Sequence, residues 1–128
     1  MHKKYSEFVE EIKNDVREVS IEYVDNKLSE NILVIDIREE RECSSGLIPG
    51  AINIPRGILE SNIRQVLEKQ CGTEVKENQD DPELYLICRS GMRSILAAES
   101  LQRMGFENVY SVRGGMLEWD KKHVVDRH

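Results

Sequence analysis

Residues 88 to 94 read C-R-S-G-M-R-S and follow directly on an apolar run, L-Y-L-I, from Leu84 to Ile87. A cysteine at such a place can be a nucleophile, provided that it is held as the thiolate. The residues after it are of the kind that hold negative charge. If Leu84 to Ile87 is a strand and a helix starts near Ser94, the connection can curl its N–H groups into one cup that suits an anion. Gly91 permits the curl because it tolerates positive φ. The helix start adds partial positive charge, and Arg89 and Arg93 add full charges. Each feature favours thiolate over thiol at Cys88. The alternative is a cysteine buried for packing, with its arginines facing solvent.

The elements around this segment alternate. Tyr5, Phe8, Val9, Ile12 and Val16 fall at helical spacing and predict an amphipathic helix over residues 4 to 15. A short strand is expected from Val16 to Val19. Ser20 then reads as the N-cap of a helix running to Leu28. Ile32 to Ile35 is a compact, β-branched apolar run of the buried parallel type, ending at Asp36. An acidic turn of helix from Glu39 to Cys43, a Gly/Pro loop from Gly46 to Gly50 and a strand from Ala51 to Ile54 follow. A helix is expected from Gly57 to Lys69, then a polar surface loop from Cys71 to Pro82. After Leu84 to Ile87 come a helix from Ser94 to Met104, stopped by Gly105, and a strand from Val109 to Val112. A last helix carries Met116 and Trp119, which are expected in the core. Strands alternating with helices predict an α/β domain of three layers, with a mostly parallel central sheet and helices on both faces.

The chain as a whole narrows the function. It has 128 residues, 39% hydrophobic and 33% charged, with a formal net charge of -6. That suits one compact domain. It argues against a nucleic-acid or anionic-membrane partner, both of which want a basic face. No apolar run approaches the roughly 20 residues of a membrane span. No export signal is read at the start, so the expected compartment is cytoplasmic. The three cysteines, Cys43, Cys71 and Cys88, are odd in number and widely spaced, which disfavours a disulfide framework. His2, His123 and His128 lie near the two ends, so no metal site is expected. No cofactor is called for either.

Asp36, Arg38 and Glu42 form a charged cluster after the Ile32–Ile35 run. Arg38 and Glu42 are one helical turn apart and are expected to pair. Asp36 is expected to cap the turn that follows it. The three are read as support for the site. Arg56 and Arg113 suit either the mouth of the site or solvent. Cys43 reads as a buried core residue, and Cys71 as a bystander unless its loop folds over Cys88.

Four segments together resemble the rhodanese family of sulfurtransferases in its single-domain form. They are L-V-I-D-I-R-E-E-R-E (Leu33 to Glu42), G-L-I-P-G-A-I-N-I-P (Gly46 to Pro55), C-R-S-G-M-R-S and G-F-E-N-V-Y-S-V-R-G-G-M-L-E-W (Gly105 to Trp119). The resemblance runs from about Val16 to Trp119. It divides the chain into a helical extension, residues 1 to 15, and a domain, residues 16 to 123. It implies that Cys88 takes sulfur from a donor such as thiosulfate, becomes a persulfide, and yields the sulfur to cyanide, a thiol or a protein acceptor. Residues 89 to 94 (Arg89, Ser90, Gly91, Met92, Arg93, Ser94) would bind the donor and hold the persulfide, without metal or cofactor. Leu47 stands where the family often has histidine, and Cys43 where it tends to have an aromatic residue. A related cysteine phosphatase would need five residues between cysteine and arginine. Here four separate Cys88 from Arg93, a cup better fitted to sulfur than to phosphoryl. A non-catalytic sulfur relay or interaction module also remains open.

Overall fold

The computed structural model describes residues 1–71 and 82–123. Among these residues five strands, β1 (Arg17–Val19), β2 (Leu33–Asp36), β3 (Ile52–Asn53), β4 (Leu84–Ile87) and β5 (Val109–Val112), form one sheet in the order β1-β5-β4-β2-β3. All four pairings are parallel. The helices are α1 (Tyr5–Lys13), α2 (Ile21–Lys27), α3 (Leu59–Cys71), α4 (Met92–Arg103) and α5 (Gly115–His123). Two short 3₁₀ segments, Glu40–Ser45 and Arg56–Ile58, lie between β2 and α3.

The sheet separates two apolar layers, because successive residues of a strand face opposite ways. On one side Leu84 and Leu86 of β4 pack with Leu59 and Ile63 of α3 and with Ala97, Ala98 and Leu101 of α4. On the other, Tyr85 and Ile87 pack with Ile21 and Val24 of α2 and with Met116 and Trp119 of α5. β4 is buried along its whole length, as a central parallel strand must be. Each leucine-sized side chain buried this way is worth about 1.5–3 kcal/mol. α1 lies outside both layers and packs on α4 through Val9. Among the described residues no helix is long and apolar enough to cross a membrane.

The expected α/β architecture is therefore present, and most elements fall where the sequence places them. Ser20 Oγ accepts the Tyr23 N–H at 3.1 Å and starts α2. Gly105, at φ +101, ends α4 and donates to Gln102 O. Boundaries shift by one or two residues in most elements, and at two helices the cause is visible. α4 begins at Met92, two residues before the expected start, because Gly91 at φ +97 makes the whole turn and leaves the chain ready to enter the helix. α3 begins after a 3₁₀ turn and runs on to Cys71. The rest of the loop expected after Cys71, residues 72 to 81, lies outside the described residues.

Candidate active site

Sheet register brings the site together. Asp36 of β2 stands opposite Ile87 of β4, and Ser111 of β5 stands opposite Leu86. The carboxyl ends of three adjacent strands thus lie side by side, where parallel sheets place their ligands. Cys88 follows Ile87 at the end of the central strand and is 0% exposed. Its Sγ accepts the Gly91 N–H at 3.2 Å and the Ser94 N–H at 3.4 Å, and lies 3.6 Å from Ser94 Oγ. The loop closes around the sulfur with donors pointing inward. The first turn of α4 sits against it, so the positive end of that helix faces the same atom. Two inward N–H donors and a helix start around one sulfur can hold negative charge there.

The loop is tied down from behind by α5. Met116 N–H donates to Cys88 O at 2.9 Å, and Leu117 N–H donates to Arg89 O at 3.0 Å. Such contacts need a backbone that can come very close. Gly115, at φ +55, supplies it: a Cβ there would lie 2.3 Å from Cys88 O. The Gly114-Gly115 pair is thus part of the site's foundation, a role not read from the sequence.

The flanking charges are arranged differently from expectation. Asp36 does cap its turn, accepting the Arg38 N–H at 3.1 Å. Arg38 does not pair with the Glu42 carboxylate. Its guanidinium binds Asp36, with Nη2–Oδ2 at 2.8 Å, and donates to the carbonyls of Glu42 and Gly46 at 3.0 Å. Asp36 and Arg38 are buried, 0% and 6% exposed. Residues 40–45 form a 3₁₀ helix, which turns the Glu42 carboxylate away from Arg38 and toward the loop. There Glu42 meets Arg93, with both Nη–Oε distances at 2.9 Å. That contact, helped by the Glu39 N–H, pulls the Glu42 carboxyl down to about 2. Arg93 is thereby half-buried and engaged, whereas Arg89 and Ser90 are exposed at the mouth of the loop and Met92 is half-buried beside them.

The remaining candidates separate plainly. Met116 and Trp119 are core residues. Cys43 is half-buried on the 3₁₀ helix rather than in the core, since that segment rides on the surface beyond β2; burial pushes its thiol up. Leu47 is exposed. Arg56 pairs with Glu60 at 2.8 Å, and the Arg113 side chain is 64% exposed. The Cys71 side chain lies outside the described residues. A cavity of about 210 Å³ opens beside the loop, between Ser6, Val9 and Glu10 of α1, Ser90 and Met92 of the loop, and Arg113. No group of three His, Cys, Asp or Glu among the described residues is placed to hold a metal ion. Sequence reading missed Ser111. It is 0% exposed and its Oγ lies 2.7 Å from Ser94 Oγ. The available signal was a polar residue inside an apolar strand, V-Y-S-V.

Comparison with known proteins finds relatives along most of the chain. The family model described as Rhodanese-like domain matches residues 20–122. The chain is 33% identical over 108 residues to "Putative sulfurtransferase YtwF" of Bacillus subtilis (strain 168), covering 83% of this chain and 92% of that one. It is 32% identical over 122 residues to "Putative sulfur carrier protein YrkF" of the same organism, covering 94% of this chain but only 60% of that relative's length. Among solved structures, the human single-domain sulfurtransferase TSTD1 superposes with a TM-score of 0.68 at 26% identity, covering 84% of this chain and 97% of that one.

Proposed function

The chain belongs to the rhodanese-like domain family, and on that premise we propose that it moves sulfane sulfur through a persulfide on Cys88. The observation that carries this reading is the pair of backbone N–H groups, from Gly91 and Ser94, aimed at a fully buried Sγ. In the first step the Cys88 thiolate attacks the outer sulfur of a donor such as thiosulfate. A bond forms between the two sulfurs, the donor's own S–S bond breaks, and sulfite leaves with the electron pair. The enzyme then carries Cys–S–S⁻. In the second step a nucleophile attacks the outer sulfur, the Cys–S–S bond breaks, and its electron pair returns to Sγ as thiolate. With cyanide the product is thiocyanate; with a thiolate it is that thiol's persulfide. This is covalent catalysis of ping-pong form, and charge is conserved in each step.

The residues take distinct parts. The loop amides of residues 89 to 93 surround the outer sulfur of the persulfide. Arg89, exposed at the mouth, draws in the anionic donor. Arg93, held by Glu42, shapes the loop. Asp36, Arg38 and Glu42 are scaffold. The acceptor is a small thiol, cyanide or a cysteine on a protein, and the compartment is the cytoplasm. A carrier role, in which Cys88 holds sulfur without turnover, is favoured by the likeness to the relative named as a sulfur carrier. Steady-state assay with thiosulfate and cyanide separates the two: the enzyme reading requires thiocyanate in excess of the protein present, abolished in Cys88→Ser. Thiocyanate limited to one equivalent supports the carrier.

A further inference from the structure

Among the described residues four polar or charged side chains are buried: Asp36, Arg38, Ser94 and Ser111. The first two satisfy each other. The last two meet beneath the sulfur and have no part in the scaffold just described. Ser94 Oγ has three polar neighbours: Gly91 O at 3.2 Å, Ser111 Oγ at 2.7 Å and Cys88 Sγ at 3.6 Å. A hydroxyl has one proton to give and two lone pairs to receive with. That count restricts what each neighbour can do.

With Cys88 as a neutral thiol, the bonds close in one way that uses every proton. Ser94 donates to the Gly91 carbonyl, which can only accept. Cys88 S–H and Ser111 O–H both donate to Ser94 Oγ. Once the thiol proton has left to solvent, the sulfur becomes an acceptor and one lone pair of Ser94 Oγ is vacated. The Ser94 proton can then turn from Gly91 O to the sulfur, while Ser111 O–H still donates to Ser94 Oγ from behind. Hydrogen bonds in such a chain strengthen each other, more so in a dry interior. We propose that Ser111 is a positioning residue: it fixes the Ser94 hydroxyl so that Ser94 donates to Cys88 Sγ whenever that sulfur bears negative charge. This happens twice in the cycle, before attack on the donor and when Sγ leaves as thiolate in the second step. The proposal rests on the reading of Cys88 as the sulfur-carrying nucleophile. Ser111 touches neither substrate nor the reacting atom. It acts through Ser94, and the register that sets it opposite Leu86 is what delivers it.

The test uses the full chain as Ser111→Ala, Ser111→Thr, Ser94→Ala and the double alanine variant. The first readout is the rate at which iodoacetamide alkylates the Cys88 peptide at neutral pH, which does not depend on sulfur transfer. Ser111→Ala is expected to slow alkylation about threefold to tenfold, the scale of one weakened hydrogen bond to charge, with an unchanged circular dichroism spectrum. Ser94→Ala slows it at least as much. The double variant is no slower than Ser94→Ala, because Ser111 has nothing left to act through. Ser111→Thr, which keeps the hydroxyl, restores the rate to within about twofold of wild type on the same scale. In thiosulfate turnover, Ser111→Ala lowers kcat and leaves the KM for thiosulfate unchanged. The proposal is overturned by a Ser111→Ala protein that alkylates at the wild-type rate, by multiplicative losses in the double variant, or by a folded Ser111→Thr as slow as the alanine form. If wild type transfers no sulfur at all, the proposed function fails, and the alkylation rates still decide the role of Ser111.

Discussion

Glu42 and Arg93 lie 51 residues apart and meet in a two-point ion pair, each Nη–Oε distance 2.9 Å. One partner sits on the 3₁₀ helix after β2, the other in the first turn of α4. The pair therefore fastens the cysteine loop to the neighbouring strand's connection. It also spends the charge of Arg93 within the protein, which leaves Arg89 as the exposed cation of the loop.

Removing the Glu42 charge is expected to disturb the loop more than the fold. In Glu42→Gln, Arg93 keeps a neutral partner of the same shape. Stability should fall by no more than about 1 kcal/mol, since the pair is part-exposed. The rate of persulfide formation should fall about tenfold, because the loop donors lose their alignment. Urea titration and stopped-flow sulfur transfer on the same variant give the two numbers.

The pair also predicts a pH dependence of stability. The folded state holds the Glu42 carboxyl at about 2, below its ordinary value. The unfolded chain thus binds a proton where the folded one does not. The stabilisation is present above the ordinary carboxylate range and is lost as pH falls toward about 2. Glu42→Gln should remove that part of the dependence. The check is the difference in urea midpoint between wild type and variant, which should shrink steadily from pH 5 to pH 2.

Gly115 is expected to be irreplaceable for a different reason. Gly105 and Gly115 both have positive φ, so alanine at either strains the backbone by about 1 kcal/mol. A Cβ at Gly105 meets nothing within 4 Å, whereas at Gly115 it lies 2.3 Å from Cys88 O and 2.7 Å from Arg89 O. Gly105→Ala should leave sulfur transfer intact. Gly115→Ala should cost about 2 kcal/mol more and slow transfer sharply, since the loop must move off α5. Equal effects at the two positions would contradict this account of the α5 contact.

Asp36 and Arg38 make the other clear case. Both are buried, and the guanidinium spans Asp36, Glu42 O and Gly46 O. Asp36→Ala leaves a buried cation without its counter-charge, at a cost of about 3 kcal/mol. For a domain of this size that is a loss of roughly 10 °C in Tm. Thermal denaturation followed by circular dichroism measures it.

How far these relationships are legible in the sequence depends on their range. The runs I-L-V-I and L-Y-L-I are read as buried parallel strands because their neighbours in sequence already carry the pattern. The glycine after Cys88 announces the turn for the same reason. What sequence cannot supply is which groups meet across the sheet. The helical spacing of Arg38 and Glu42 suggests a pair, but Arg38 finds a better partner in buried Asp36, and the 3₁₀ geometry sends Glu42 to Arg93 instead. Ser111 carries no sign of its partner, since the contact with Ser94 exists only through the β4–β5 register and the start of α4. Gly115 reads as an ordinary turn glycine until the carbonyls of Cys88 and Arg89 are seen against it.

The central claim is that Cys88 carries sulfur. Its most direct test is mass spectrometry of the full chain after brief exposure to thiosulfate, with Cys88→Ser as control. The account predicts one added sulfur atom on the peptide containing Cys88, released by cyanide as thiocyanate, and no addition in the variant. Sulfur found on Cys43 or Cys71 with Cys88 unmodified, or no addition from thiosulfate and other sulfane donors alike, would contradict it.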